Sequence, residues 1–156
     1  MYAHIVADVS EVHDVQLSTS EDSIAAVPGT VQTINFSIEN TGNLVETVNI
    51  NITVDGGWTT TPTVQTFTIP INGIETGSFD VEIPALDGTG SMLDGTKHDV
   101  NLTVYNPVTD EVYALKKVEL RVAPVFSYTI EEWESQYYFH RGTERVLKAY
   151  ITNTCL

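Results

Sequence analysis

The sequence predicts an all-β chain built around a seven-stranded antiparallel β-sandwich. Two observations predict it: apolar residues alternate with polar residues along most of the chain, and turn-forming residues interrupt this alternation at short intervals. Alternation with a period of two places one face of a strand in a core and the other in solvent. A third observation, a restart of the sequence near its end, predicts an extension after the sandwich.

The alternation is clearest between Thr33 and Asn40, where Ile34, Phe36 and Ile38 form the apolar face. Together with weaker segments it predicts strands at residues 15–19, 31–40, 44–54, 63–69, 76–84, 97–106 and 111–123. Seven short strands within about 110 residues are typical of an immunoglobulin-like sandwich.

Glycine, proline, asparagine and aspartate separate these segments. The segment Asn40-Thr41-Gly42-Asn43 lies between the second and third predicted strands and indicates a hairpin turn in residues that tolerate positive φ. Asp55-Gly56-Gly57 and Asn72-Gly73 mark two further turns, and a longer acidic, glycine-rich loop covers residues 87–95.

Residues 29–43 (GTVQTINFSIENTGN) and residues 142–156 (GTERVLKAYITNTCL) match at an offset of 113. Gly29-Thr30 aligns with Gly142-Thr143, and Asn40-Thr41 aligns with Asn153-Thr154. A period of domain length is the signature of tandem repeats. We therefore predict three regions: residues 1–13 as a leading strand or the end of a preceding repeat, 14–123 as the sandwich, and 124–156 as the truncated start of a following repeat.

The charge of the chain restricts its partners. It carries 21 acidic residues against 7 lysines and arginines, a net charge of −14. A surface this acidic repels phosphate backbones, which predicts that the chain does not bind nucleic acid. The sequence lacks a run of about 18 apolar residues, which predicts no membrane insertion. Its single cysteine, Cys155, excludes an internal disulfide.

We predict that the chain is not an enzyme and assign it no catalytic or cofactor-binding residues, because it contains no known catalytic motif. We interpret His98, which lies near Asp94 and Asp99, as part of a solvated loop. Calcium is the one cofactor left open, because Asp87, Asp94 and Asp99 surround the glycine-rich loop. Their spacing matches no calcium-binding loop, so metal ligands stay unassigned.

Two kinds of binding or modification site can be named from the sequence. Asn35, Asn51 and Asn101 each begin an Asn-x-Ser/Thr sequon at an outward strand position and are candidate glycosylation sites. Trp58 is a candidate for stacking on a carbohydrate, with core packing or cover for a strand edge as the alternative.

The order of several short motifs resembles a known group of modules. The motifs are, in order, Val27-Pro28-Gly29, Ile38-Glu39-Asn40-Thr41-Gly42-Asn43, Gly57-Trp58, the segment Thr76 to Ala85, and the segment His98 to Val104. Residues 14–123 are in this respect similar to the NEW3 and CARDB group of immunoglobulin-like modules, found in tandem in bacterial and archaeal surface and secreted proteins. The resemblance implies a spacer, adhesion or scaffold role without a shared active site.

We therefore predict a non-catalytic repeat module of a large extracellular or cell-surface protein, with an unidentified protein or glycan partner. Two alternatives stay open: a carbohydrate-binding accessory module of a secreted hydrolase, and a self-assembling surface-layer or fibre subunit that uses strand exchange. Residues 124–156 are rich in aromatic side chains, which predicts that this region folds back on the sandwich or forms a homo-oligomer with another copy.

Overall fold

The computed structural model describes residues 9–85, 95–124, 128–131 and 150–153. Its first nine strands form two sheets that face each other across an apolar core. In chain order they are β1 (Val15–Thr19), β2 (Ser23–Ala26), β3 (Val31–Asn40), β4 (Glu46–Val54), β5 (Thr59–Thr61), β6 (Val64–Ile69), β7 (Ile74–Glu82), β8 (Lys97–Tyr105) and β9 (Val112–Val122). This is the all-β, immunoglobulin-like sandwich that the sequence predicts.

One sheet has four strands in the order β1-β3-β7-β5, and the other has five strands in the order β2-β9-β8-β4-β6. The apolar residues of the alternating pattern face the core, as predicted: Ile34 and Ile38 of β3 and Ile50 of β4 are fully buried. Leu102 of β8 and Leu120 of β9 close the same core from the five-stranded sheet. Burying such a side chain stabilises the fold by roughly 1.5–3 kcal/mol.

The predicted count of seven strands is wrong, because the two sheets contain nine. The missed strands β2 and β5 have four and three residues, which is too short for an alternating pattern to stand out. The prediction of purely antiparallel pairing is also wrong, since β2 pairs parallel with β9, with Ser23 opposite Glu119. After β1 the chain crosses from one sheet to the other, where Ile24 and Ala26 of β2 reach the core.

The segment Asn40-Thr41-Gly42-Asn43 is not the predicted hairpin turn, because β3 and β4 belong to different sheets. Among the described residues other than glycine, positive φ occurs at Asn72 and Asp110, and not in this segment. Gly42 is needed for a different reason: a Cβ atom there would lie 2.3 Å from the Val12 carbonyl oxygen. The glycine therefore permits a close approach of two backbones.

The strands define two ends of the sandwich. The upper end contains the start of β1, the β3–β4 loop, the β6–β7 loop and the β8–β9 loop, as the antiparallel registers require. The lower end contains the β2–β3 loop, the β4–β5 loop and the end of β9. The chain thus enters the sandwich at one end and leaves it at the other. The 11 residues of β9 span about 36 Å at about 3.3 Å per residue.

A separate two-stranded sheet follows, formed by β10 (Tyr128–Glu131) and β11 (Tyr150–Asn153). Its antiparallel register places Tyr128 opposite Asn153, while the register of β1 and β3 places Val15 opposite Asn40. The offset of the sequence repeat leads from Val15 to Tyr128, and the same offset leads from Asn40 to Asn153. The backbone pairing therefore repeats with the period of the sequence.

Candidate functional site

The upper end of the sandwich holds the incoming chain. We call Ser10–Asp14 the entry segment. Asn43 binds it on both sides: the Val12 amide donates to Asn43 Oδ1 and Asn43 Nδ2 donates to the Ser10 carbonyl, both at 2.8 Å. The Asp14 carbonyl accepts from the amides of Thr41 and Gly42 at 3.0 and 3.1 Å. The β3–β4 loop therefore fixes the path of the chain before β1 begins.

A buried carboxylate strengthens this contact. The Glu46 side chain is 3% exposed, and its Oε1 lies 2.6 Å from Nδ1 of His13 in the entry segment. The His13 ring also stacks on Tyr113 at a centroid distance of 6.4 Å, and the Tyr113 hydroxyl accepts a hydrogen bond from Asn106. Among the described residues, no Ser, Thr or Cys side chain shares a hydrogen bond with this His–Glu pair. The pair connects the entry segment to β4 and, through the Tyr113 ring, to β9. Within the described part of the chain, no side chain that could act as a nucleophile belongs to it.

The second histidine cluster lies at the lower end. His98 is 5% exposed on β8, so its interpretation as part of a solvated loop is wrong. Its Nδ1 lies 2.8 Å from Asp55 Oδ1, and its ring stacks on Trp58 at 4.1 Å. Gly56 has φ of 68°, and a Cβ atom there would lie 2.5 Å from His98 Cε1. His98 and its partners thus hold the β4–β5 loop against the start of β8.

Trp58 belongs to the core rather than to an exposed face. It is 6% exposed, and one face of its indole contacts the His98 ring. A sugar stacks on an aromatic ring only where the ring is open to solvent. Carbohydrate stacking by Trp58 stays a prediction, and the burial of its ring weighs against it.

The three sequon asparagines lie on outward faces of their strands. Asn35 of β3 and Asn101 of β8 are exposed, and Asn51 of β4 is partly exposed. Two of the sequons are cross-strand neighbours, because Asn51 lies opposite Thr103 and Asn101 lies opposite Thr53. Both are therefore accessible on one face of the five-stranded sheet. Their glycosylation stays a prediction.

All four basic residues of positions 9–85 and 95–124 lie on β8 and β9. Each pairs with an acidic side chain at 2.7–3.0 Å; the pairs are Lys97–Glu119, Arg121–Glu119, Lys116–Asp22 and Lys117–Asp99. Within these positions the remaining surface carries acidic and uncharged residues only. The arrangement leaves no cluster of unpaired cations there for an anionic ligand.

The Glu119 pairs give a testable pH effect. Hydrogen bonds from Lys97 and Arg121 hold the pKa of the Glu119 carboxyl below its ordinary value of 4.5. The stability that this carboxylate adds is therefore present above pH 4.5 and is lost as the pH falls through its lower folded-state pKa. We expect the Lys97→Gln variant to raise this pKa towards 4.5, as measured by NMR titration of the side-chain carboxyl carbon. An unchanged Glu119 titration curve in this variant would contradict the pairing.

A metal site is not evident in the part of the chain that the structure describes, where no group of three or more His, Cys, Asp or Glu side chains converges. Asp99, one of the three acidic residues around the glycine-rich loop, pairs with Lys117. Asp87 and Asp94 lie outside the described residues, as does Cys155. Calcium binding at the acidic loop therefore stays a prediction. No helix among the described residues is long and apolar enough to cross a membrane.

The outer face of the four-stranded sheet forms an open groove of about 630 Å³. Hydroxyl and amide side chains line most of it; they include Ser18, Ser20, Asn35, Ser37, Thr76 and Ser78. The hydroxyls of Ser18 and Ser37 bond to each other at 2.7 Å. None of the described residues that line the groove is titratable.

No protein-family model matches the chain, and no curated protein does. Solved structures give three comparable likenesses. The periplasmic chaperone SfaE is 13% identical with a TM-score of 0.49, over 70% of this chain and 57% of that chain. A CARDB domain from Pyrococcus furiosus, in complex with di-metal ions, is 11% identical with a TM-score of 0.49, over 79% of this chain and 100% of that domain. WR4, a C. elegans MSP family member, is 8% identical with a TM-score of 0.43, over 69% of this chain and 97% of that chain.

The matched part is little more than half of the chaperone chain. All three TM-scores lie below 0.5, so the fold assignment rests on the strand order and the core described above.

Proposed function

We propose that this chain belongs to a tandem array of non-catalytic β-sandwich modules in a large extracellular or cell-surface protein. In this role the module is a spacer or scaffold that sets distance and orientation. One observation carries the proposal: the β10–β11 pair has the register of the β1–β3 pair at the offset of the sequence repeat. This match supports a second copy of the same module, which begins near Tyr128.

The register is a demanding criterion. A slip of one residue turns every side chain of a strand to the opposite face, so two strand pairs seldom share a register by chance. An isolated pair of strands is also marginally stable in water, since it cannot bury an apolar face alone. Both points favour β10 and β11 as the first and third strands of a sandwich whose other strands complete its core.

The non-catalytic role is supported by the structural contacts that the titratable side chains make. The His13–Glu46 pair fixes the entry segment, and the His98–Asp55 pair fixes the β4–β5 loop. Lys97, Lys116 and Lys117 are paired with acids on neighbouring strands or loops, and Arg121 with Glu119 on its own strand. These groups stabilise the sandwich, which fits a module with a structural role.

A graft tests whether residues 128–153 begin a second module. Residues 1–153 are joined directly to a second copy of residues 41–123, so that Asn153 takes the place of Asn40. We expect the appended strands to fold with β10 and β11 and to become protected from hydrogen exchange. Ala149 stands where Phe36 stands in the first copy, so a second graft carries Ala149→Phe to restore core volume.

The matched control joins residues 41–123 directly to Ala123 and so lacks β10 and β11. Its appended segment is expected to exchange freely, because the strand equivalent to β7 loses its β3 partner and the strand equivalent to β9 loses its β2 partner. Free exchange of the appended segment in both grafts would contradict the proposed repeat. The coding sequence on either side supplies a further check, since further copies at the same period are expected there.

A further inference from the structure

We infer that the upper end of the sandwich is the docking face for the lower end of a preceding copy, and that the entry segment joins the two copies without a flexible joint. This inference rests on the proposed tandem array and adds the geometry of its junction. The occupant is a second copy of this module, attached in the same chain. Three observations carry it: the hydrogen bonds of the junction, the exposed apolar side chains and the positions of the chain ends.

Hydrogen bonds tie both ends of the junction to a sandwich. At the lower end, the Ala123 amide donates to the Ala26 carbonyl at 2.9 Å, which ties the first residue after β9 to its own module. The offset of the sequence repeat aligns Ala123 with Ser10, whose carbonyl accepts from Asn43 at the upper end. In a repeated chain one residue would thus bond to the preceding module through its amide and to the following module through its carbonyl.

The residues around this point agree with that alignment. The same offset aligns Val9 with Val122, the buried last residue of β9. Yet Val9 is 76% exposed here, ahead of the entry segment. As the last residue of a preceding β9, it would enter the core of that copy. The segment from Ser10 to Asp14 then corresponds to the whole connection between two sandwiches.

Exposed apolar side chains concentrate at the upper end. Six of the large ones lie there, at 48–89% exposure; they are Val12, Val45, Ile71, Ile74, Val108 and Val112. The lower end presents Val27, Val31, Val64, Pro84 and Ala85 as exposed apolar residues. A concentration of exposed apolar side chains at one end is typical of a surface that contacts another protein. The short connection brings the two ends together, because five residues reach at most about 18 Å.

The positions of the chain ends define the shape of the array. Because β1 starts at the upper end and β9 ends at the lower end, successive copies stack end to end rather than side by side. Each copy then adds roughly the 36 Å that the 11 residues of β9 span. An array of this kind is an extended rod whose length grows with the number of copies.

The two junctions of this chain differ in chemistry. The equivalents of Gly42 and Asn43 in the second copy are Cys155 and Leu156. Leucine cannot donate or accept the two hydrogen bonds that Asn43 makes. We call the two side-chain hydrogen bonds between Asn43 and the entry segment the clamp. The clamp therefore belongs to the junction before Val15, and the junction after Val122 lacks it.

A tandem duplication tests the inference. Residues 1–122 are joined directly to residues 10–156, which preserves the period and places a second entry segment between two complete sandwiches. We expect backbone NMR order parameters near 0.85 for Ser10–Asp14 of the second copy, the value of rigid structure, and one rotational correlation time for both sandwiches. Order parameters below about 0.6 there, with separate tumbling of two folded sandwiches, would overturn the rigid junction and leave the repeat intact.

The clamp itself is tested with Asn43→Ala in the second copy, which removes both hydrogen bonds of an exposed side chain. We expect lower order parameters in the entry segment and separate tumbling. The matched control is Asn35→Ala, which changes an exposed residue of β3 away from the entry segment. This control should leave the order parameters of the entry segment and the joint tumbling of the sandwiches unchanged. Joint tumbling that persists in the Asn43→Ala duplicate would overturn the role of the clamp.

Discussion

The Asn40→Asp variant is expected to lose about 3 kcal/mol or more of unfolding free energy, although it only replaces the side-chain NH2 group by an oxygen. Asn40 is fully buried at the end of β3. Its Nδ2 donates to the carbonyls of Leu44 and Ile69 at 2.7 and 3.0 Å, and its Oδ1 accepts from the Gly42 amide. A carboxylate keeps the acceptor but places a negative oxygen against two carbonyl oxygens, of which that of Ile69 is in a buried contact.

Urea denaturation of the full chain measures this loss, and Asn35→Asp is its control. Asn35 is exposed on the same strand, so the same substitution should change stability by less than about 0.5 kcal/mol. Similar midpoints for the two variants would show that the Asn40 amide does not hold the two sheets together. The expected difference also explains why asparagine, a common turn residue, stands here inside a core.

The Trp58→Ala variant is expected to lose about 3–5 kcal/mol, the usual cost of truncating a buried aromatic side chain. Trp58 is 6% exposed and packs on His98, so its removal leaves a cavity beside β8. Leu115→Ala is the control, because Leu115 is 72% exposed on the outer face of the five-stranded sheet. A loss below about 1 kcal/mol for Trp58→Ala would place the ring outside the core.

This result bears on the carbohydrate-binding alternative. Because Trp58→Ala destabilises the fold, a loss of glycan binding in this variant could result from unfolding. The variant therefore has to be compared with the parent chain under conditions where it stays folded. Trp58→Phe keeps part of the packing and serves that comparison. Glycan binding that is present in the parent chain and absent in a folded Trp58→Phe variant would support a sugar contact despite the burial of the ring.

Residues of similar appearance in the sequence have different roles in the structure. Asn43 and Asn40 lie in the same short segment, yet Asn43 binds the incoming chain while Asn40 bridges the two sheets. His13 and His98 each lie within hydrogen-bond distance of a carboxylate, but Glu46 and Asp55 lie 33 and 43 residues away in sequence. Pairings of this separation depend on how strands are brought together, which no local spacing reveals.

The sequence by itself determined the class of the fold, the long strands and the period of the repeat. It could do so because burial of every second side chain leaves a direct trace along a strand, and because a repeat is visible in the letters alone. The tertiary structure decided the parallel strand β2, the crossover at Asn40–Asn43 and the partners of His13 and His98. These features depend on which sheet each strand joins, and that choice follows from packing between residues far apart in sequence.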